Sequence, residues 1–348
     1  MDKTVLSKQL SDICEASGVS GVIRVTHKDK ILHSQSIGYA CKETKTPFSD
    51  DSMFTLYSMS KPFCAMGLLL LADQGLVDLE AHPGKYVPEA KGFDSRVTIR
   101  HLLQHTSGVP DFAPNPGYME AYAPGPASKV REHIQILSGF PSFFEPGTAD
   151  RYSNIGYMIS ALIMENISGL PYAEYMRKAV FEPLGANTIV VDNEALQISN
   201  RVQGYTLRDG QVCATDRSRD WMLGGGDLVG TVDDVYTLNH AVKHRKLLKP
   251  ETWEQVLTPS PLNKKGLGCI VTKWHGKTRV QHNGGHRGFR TIHIHLPEDD
   301  FDIIFLSNSG YGDENPNIRS EIAEIIYRAF YDADSVSEQV LAMDTGYI

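Results

Sequence analysis

The sequence predicts an α/β fold of the α+β kind: an antiparallel sheet flanked by helices, with a mostly helical lobe inserted into it. Two observations carry this. Short runs rich in β-branched and aromatic residues, bounded by turn residues, occur near the start of the chain and again beyond about residue 260. Between them the apolar residues recur at helical spacing. A sheet assembled from both ends of the chain satisfies both patterns. It divides the sequence into a sheet lobe, 1–57 with 260–348, and a helical lobe, 58–259, with one active site between them.

Taken in order, residues 3–17 alternate apolar and polar at helical spacing and end at Gly18. Gly21–Thr26 and Ile31–Tyr39 read as strands joined by the polar turn His27-Lys28-Asp29-Lys30. The apolar run Phe63–Leu71 reads as a helix ending near Gly75. Further helical patterns cover about 98–104, 127–138, 154–168 and 171–180, separated by Gly/Pro-rich loops such as Ala113–Pro126. Leu267–Trp274, Thr278–His282, Phe289–His295 and Asp302–Leu306 read as strands linked by hairpins. Ile318–Tyr331 closes the pattern as an amphipathic helix.

With 41% hydrophobic and 22% charged residues, the 348-residue chain has an ordinary globular balance, which excludes a fibre or a disordered polymer. A net charge of −8 argues against nucleic acid or an anionic membrane as partner and leaves a small uncharged or cationic ligand. The five cysteines, Cys14, Cys41, Cys64, Cys213 and Cys269, are scattered and odd in number, so they read as reduced thiols. The first ten residues lack the apolar core of a signal peptide, and no apolar run reaches membrane-spanning length. These features predict a soluble cytoplasmic protein with no membrane partner. Nothing in the sequence specifies an oligomeric state.

Three short motifs carry chemistry. In Tyr57-Ser58-Met59-Ser60-Lys61, a helical geometry puts Ser58 and Lys61 one turn apart, close enough for the amine to take the hydroxyl proton. A helix N-terminus there also favours developing negative charge. Read alone, the stretch is a helix cap. Tyr152-Ser153-Asn154 follows a Pro146-Gly147 loop, and His282-Asn283-Gly284-Gly285 follows a strand. Alone, these are a loop before a helix and a hairpin turn.

In order and spacing the set resembles the active-site motifs of the serine β-lactamase and penicillin-binding protein superfamily. The most similar branch holds class C β-lactamases, D,D-peptidases, D-aminopeptidases, D-amino-acid amidases and family VIII esterases. Connecting segments resemble that branch too, notably 98–108, Pro146-Gly147 ahead of 152–157, Phe181-Glu182-Pro183-Leu184-Gly185 and Gly266-Leu267-Gly268. The resemblance spans roughly residues 20–330. It implies a β-lactamase/transpeptidase-like fold in which Ser58 forms an acyl-enzyme, Lys61 acts as base and Tyr152 relays protons. It further implies that Asn154 binds the acyl side chain or Lys61, and that His282 and Gly284 line the substrate site. The backbone N–H groups of Ser58 and Gly285 would form the oxyanion hole. No cofactor and no metal are implied.

Other chemistries fit less well. His101 and His105 have zinc-site spacing, but Leu102 stands where a metalloprotease has Glu. His293 and His295 alternate with Ile292, Ile294 and Leu296 as on a solvated strand face. Gly276-Lys277-Thr278 lacks the earlier glycine of a phosphate loop, with Val271 in its place, and no Gly-x-Ser-x-Gly elbow occurs. Gly224-Gly225-Gly226 reads as a backbone crossing near the site.

Class C β-lactamases carry Lys-Thr-Gly where this chain has His282-Asn283-Gly284, a form seen in the amidase, aminopeptidase and esterase relatives. Histidine supplies a carboxylate-binding cation only partly at neutral pH. The expected activity is therefore hydrolysis of a small ester, amide or short peptide, ahead of β-lactamase or D,D-carboxypeptidase activity. A non-catalytic binding or scaffolding role leaves Ser58, Lys61 and Tyr152 without purpose. Loops 113–126 and 206–223 would wall the pocket, with Tyr118, Tyr122 and Trp221 serving either as an apolar acyl site or as loop anchors.

Overall fold

The computed structural model describes residues 3–111, 130–193, 195–216, 222–310 and 317–331. Tyr118, Tyr122, Trp221 and the whole of loop 113–126 lie outside them.

A six-stranded sheet is built from β1 (Gly21–His27), β2 (Lys30–Ile37), β3 (Ile270–Trp274), β4 (Lys277–His286), β5 (Phe289–Leu296) and β6 (Phe301–Ser307). Its order is β3-β4-β5-β6-β1-β2 and every pairing is antiparallel. The two ends of the chain meet where β1 pairs β6, Gly21 opposite Ser307. Side chains of a strand alternate between faces, and here both faces are covered. Ile23, Val25, Ile303 and Phe305 pack on one side with α1 (Lys3–Ala16), while Val22, Ile304 and Leu306 join the larger core on the other. β6 is accordingly buried along its whole length.

The larger core surrounds α2 (Lys61–Asp73), in which Lys61 through Leu69 are all buried. A helix apolar all round must be enclosed on all sides. α5 (Ile155–Ser168) lies against it, and Gly67 of α2 faces the sulfurs of Met164 and Met176. The other helices, in chain order, are α3 (Ile99–Leu103), α4 (Val130–Leu137), α6 (Val232–His244), α7 (Pro250–Leu257) and α8 (Ile318–Tyr331). A further helical stretch covers residues 172–184.

Two sequence expectations need correction. His293 and His295 are not on a solvated face: each is 1% exposed, because α6 covers that side of β5. His293 Nδ1 meets Asn239 Oδ1 of α6 at 2.7 Å, and His295 Nδ1 meets Asp302 at 2.8 Å. The third motif does not follow its strand but lies within it. β4 runs on through His286, and the turn falls at Arg287-Gly288, both with positive φ.

Candidate active site

Ser58 sits in a single 3-10 turn, Tyr57–Ser60, that leads directly into α2. Pro62 is tolerated there because the first helical N–H groups lack intrahelical partners anyway. Ser60 does not cap the helix; its hydroxyl accepts from Leu228 N at 3.0 Å. Tyr57 has a φ of +48°, uncommon for a bulky residue, and its ring packs edge-on against His286 and near Phe289. The chain is thus bent sharply just before Ser58, which remains partly accessible.

Lys61 is fully buried. Its Nζ lies 3.2 Å from Ser58 Oγ and 2.9 Å from Asn154 Oδ1, and it also bonds the Gly225 carbonyl. Burial lowers its pKa from 10.5 to about 7, against opposing pulls from Asp111, Cys64 and Asp227. Asn154 Oδ1 and the Gly225 carbonyl can only accept hydrogen bonds. When the amine is neutral its two N–H groups go to them, and its lone pair is left for the Ser58 hydroxyl.

The Tyr152-Ser153-Asn154 loop closes the other side. Tyr152 Oη lies 2.5 Å from Ser58 Oγ, and the Lys61 ammonium position stands 4.7 Å from the Tyr152 ring centroid. Beneath Tyr152 the His105 ring stacks at 4.5 Å, and its Nδ1 accepts from Ser153 N at 3.0 Å. Burial holds His105 well below its ordinary pKa, so the ring is neutral and its Nδ1 is available as the acceptor for Ser153. The Asp111 carboxylate accepts from Asn154 N at 2.6 Å.

β4 forms the third wall. Its pairing with β3 stops at Gln281, so among the described residues no strand pairs with 282–286 on that edge. Gly284 permits the approach of the Ser58 turn: a Cβ there would stand 2.0 Å from the Leu56 carbonyl oxygen. Thr291 Oγ1 also donates to that carbonyl, at 3.2 Å. Gly285, the next residue, is exposed. His282 is buried, and burial with the nearby Lys61 lowers its pKa to about 3. Its Nδ1 lies 2.7 Å from the Asn283 carbonyl, so Nδ1 carries the proton and Nε2 is an acceptor. The expectation of a partly charged His282 is therefore corrected: desolvation leaves the ring neutral at pH 7.

A family model described as Beta-lactamase matches residues 9–326. The chain belongs to that family. It is a serine hydrolase of the β-lactamase-related group. A penicillin-binding protein of Bacillus subtilis (strain 168) is 30% identical over 330 residues, covering 86% of this chain and 71% of the relative. The D-aminopeptidase of Gluconobacter oxydans (strain 621H) is 24% identical, over 84% of this chain and 56% of that protein. Among solved structures, the D-amino acid amidase from Ochrobactrum anthropi SV3 complexed with L-phenylalanine amide superposes with a TM-score of 0.77 at 25% identity. That match covers 94% of this chain and 97% of the amidase.

Within this beta-lactamase-family site, the structure brings Ser58, Lys61, Tyr152 and Asn154 into one hydrogen-bonded cluster. Gly284 presses on the turn that carries Ser58, with Gly285 beside it, and His282 lines one small cavity with Tyr152 and His105. Sequence reasoning missed the supports. Gly224, with φ +71°, crosses so close to the Tyr157 carbonyl that a Cβ would stand 2.7 Å from it. This crossing delivers the Gly225 carbonyl to Lys61, and Asp227 fixes it by accepting from Gly224 N at 2.8 Å. The glycine run signalled a crossing, and His105 lies in the family-like segment 98–108; nothing local signalled Asp227 or Asp111. Among the described residues no helix is long and apolar enough to cross a membrane.

Proposed function

We propose that this protein hydrolyses a small ester or amide through an acyl-enzyme on Ser58, with carboxylic esters and amides of D-amino acids as the leading substrates. One observation carries the reading: Ser58 Oγ lies within hydrogen-bond distance of both the Lys61 amine and the Tyr152 phenol. Lys61, half neutral near pH 7, takes the Ser58 proton as Oγ bonds to the substrate carbonyl carbon. The carbonyl π electrons move to oxygen, where the backbone N–H groups of Ser58 and Gly285 would receive the charge. Such a donor contributes roughly 3–4 kcal/mol. On collapse the bond to the leaving alkoxide or amine breaks, and the proton passes from Lys61 through Tyr152 to it. Water then attacks the acyl carbon by the same route and frees Ser58.

Asn154 would hold the Lys61 amine in place. A neutral His282 supplies no cation for a substrate carboxylate, and its Nε2 accepts, which supports a neutral ester or amide over the carboxylates of β-lactams and peptide C-termini. The D-aminopeptidase and D-amino acid amidase among the similar proteins support the amide class.

Ser58→Ala should abolish turnover of a p-nitrophenyl ester and labelling by a fluorophosphonate probe; full activity in that variant overturns the mechanism. Side-by-side rates on D- and L-amino-acid amides and on p-nitrophenyl esters divide the substrate classes. Exclusive turnover of D-amides would remove the esterase reading, and efficient penicillin hydrolysis would remove the argument from His282.

A further inference from the structure

Away from the Ser58 site, the structure gathers three potential metal ligands that no feature of the hydrolase explains. His240 and His244 lie four residues apart in the last turns of α6, so both imidazoles project from one face. Asp29 reaches them from the β1–β2 turn, where Lys28 and Asp29 both have positive φ and set the side chain by a tight two-residue bend. One ligand atom from each of the three residues lies within 4.8 Å of the others. His240 Nε2 stands 3.9 Å from Asp29 Oδ1, too long for a hydrogen bond. Tetrahedral bonds of about 2.0–2.1 Å place neighbouring ligand atoms roughly 3.3 Å apart, so a small rotation of these side chains closes the set. His244 is exposed and has room to make it.

We propose that Asp29, His240 and His244 bind a divalent transition ion of the zinc class, clasping the end of α6 to the β1–β2 turn. Two imidazoles and one carboxylate suit zinc, with water completing the fourth position. Among the described residues neither imidazole makes a hydrogen bond, so neither has to be released to bind. The Asp29 carboxylate is already oriented: Tyr236 donates to Oδ1 at 2.8 Å and Lys243 to Oδ2 at 2.8 Å, the outer contacts that a ligating carboxylate needs. The site also stands at a helix C-terminus, where the macrodipole favours a cation. Lys243 works against the ion and is itself partly neutralised by Asp300 at 2.6 Å.

Equilibrium dialysis of the chelator-stripped full chain against zinc chloride tests this. The expected result is saturable uptake of one zinc per chain, with a rise in melting temperature that magnesium does not reproduce. Uptake should weaken by roughly tenfold or more in His244→Ala and in Asp29→Ala. Hydrolase activity, where a substrate is in hand, should be the same in both variants without zinc. Absence of saturable uptake, or uptake unchanged in His244→Ala, overturns the proposal.

Discussion

Lowering the pH should switch the hydrolase off through Lys61. Its pKa falls from 10.5 to about 7 by burial, a change of ~5 kcal/mol. At pH 7 about one half of the molecules then hold a neutral amine, whereas an exposed lysine would be neutral in about 0.03% of them. The packing around α2 therefore raises the population of competent base by roughly a thousandfold. Measured on a p-nitrophenyl ester, at a wavelength insensitive to nitrophenol ionisation, log kcat/KM should climb with a slope near +1 below about pH 7. It should be down about a hundredfold at pH 5. The same burial has a cost in stability, and its sign is fixed. Folding favours the neutral amine, so the unfolded chain binds the extra proton between pH 7 and 10.5 and stability from this group rises across that interval; below pH 7 the full penalty is present. Lys61→Met removes the penalty along with the activity. Its melting temperature relative to the parent should be highest at or below pH 7 and decline towards pH 10. A rate profile flat from pH 5 to 7, or an acid limb centred near pH 10, would refute the assignment of a desolvated base.

Three further outcomes follow from the same geometry. Asp111→Asn removes the charge that most strongly raises the Lys61 pKa, so the acid limb of the rate profile should move to lower pH; a shift to higher pH contradicts this electrostatic account. Tyr152→Phe deletes the phenol 2.5 Å from Ser58 Oγ and should lower kcat by about 10²–10⁴ while fluorophosphonate labelling, read by mass spectrometry, slows but persists. Gly284→Ala drives a methyl group against the Leu56 carbonyl and should destabilise the fold by about 1–3 kcal/mol, visible in chemical denaturation, and displace Ser58; parental stability and activity would show that the turn is not held as described.

The sequence by itself determined the fold class, the reaction class and the identity of the cluster. Strand and helix periodicity are local properties, and the spacing of Ser58 to Lys61 survives in the 3-10 turn and first helical residue. The order of the three motifs then pointed to a single family, which the match over residues 9–326 bears out. Protonation states were not legible. Burial shifts Lys61 towards its neutral form against the pull of Asp111 and Asp227, and burial likewise leaves His282 uncharged; desolvation belongs to the packed assembly and has no local signature. His293 and His295 show the same limit, since an alternating strand reads as half-solvated until α6 is laid across it. Long-range contacts alone decided that Asp227 holds the Gly225 carbonyl on Lys61, that Asp111 holds Asn154, and that Asp29 meets His240 and His244 across more than two hundred residues.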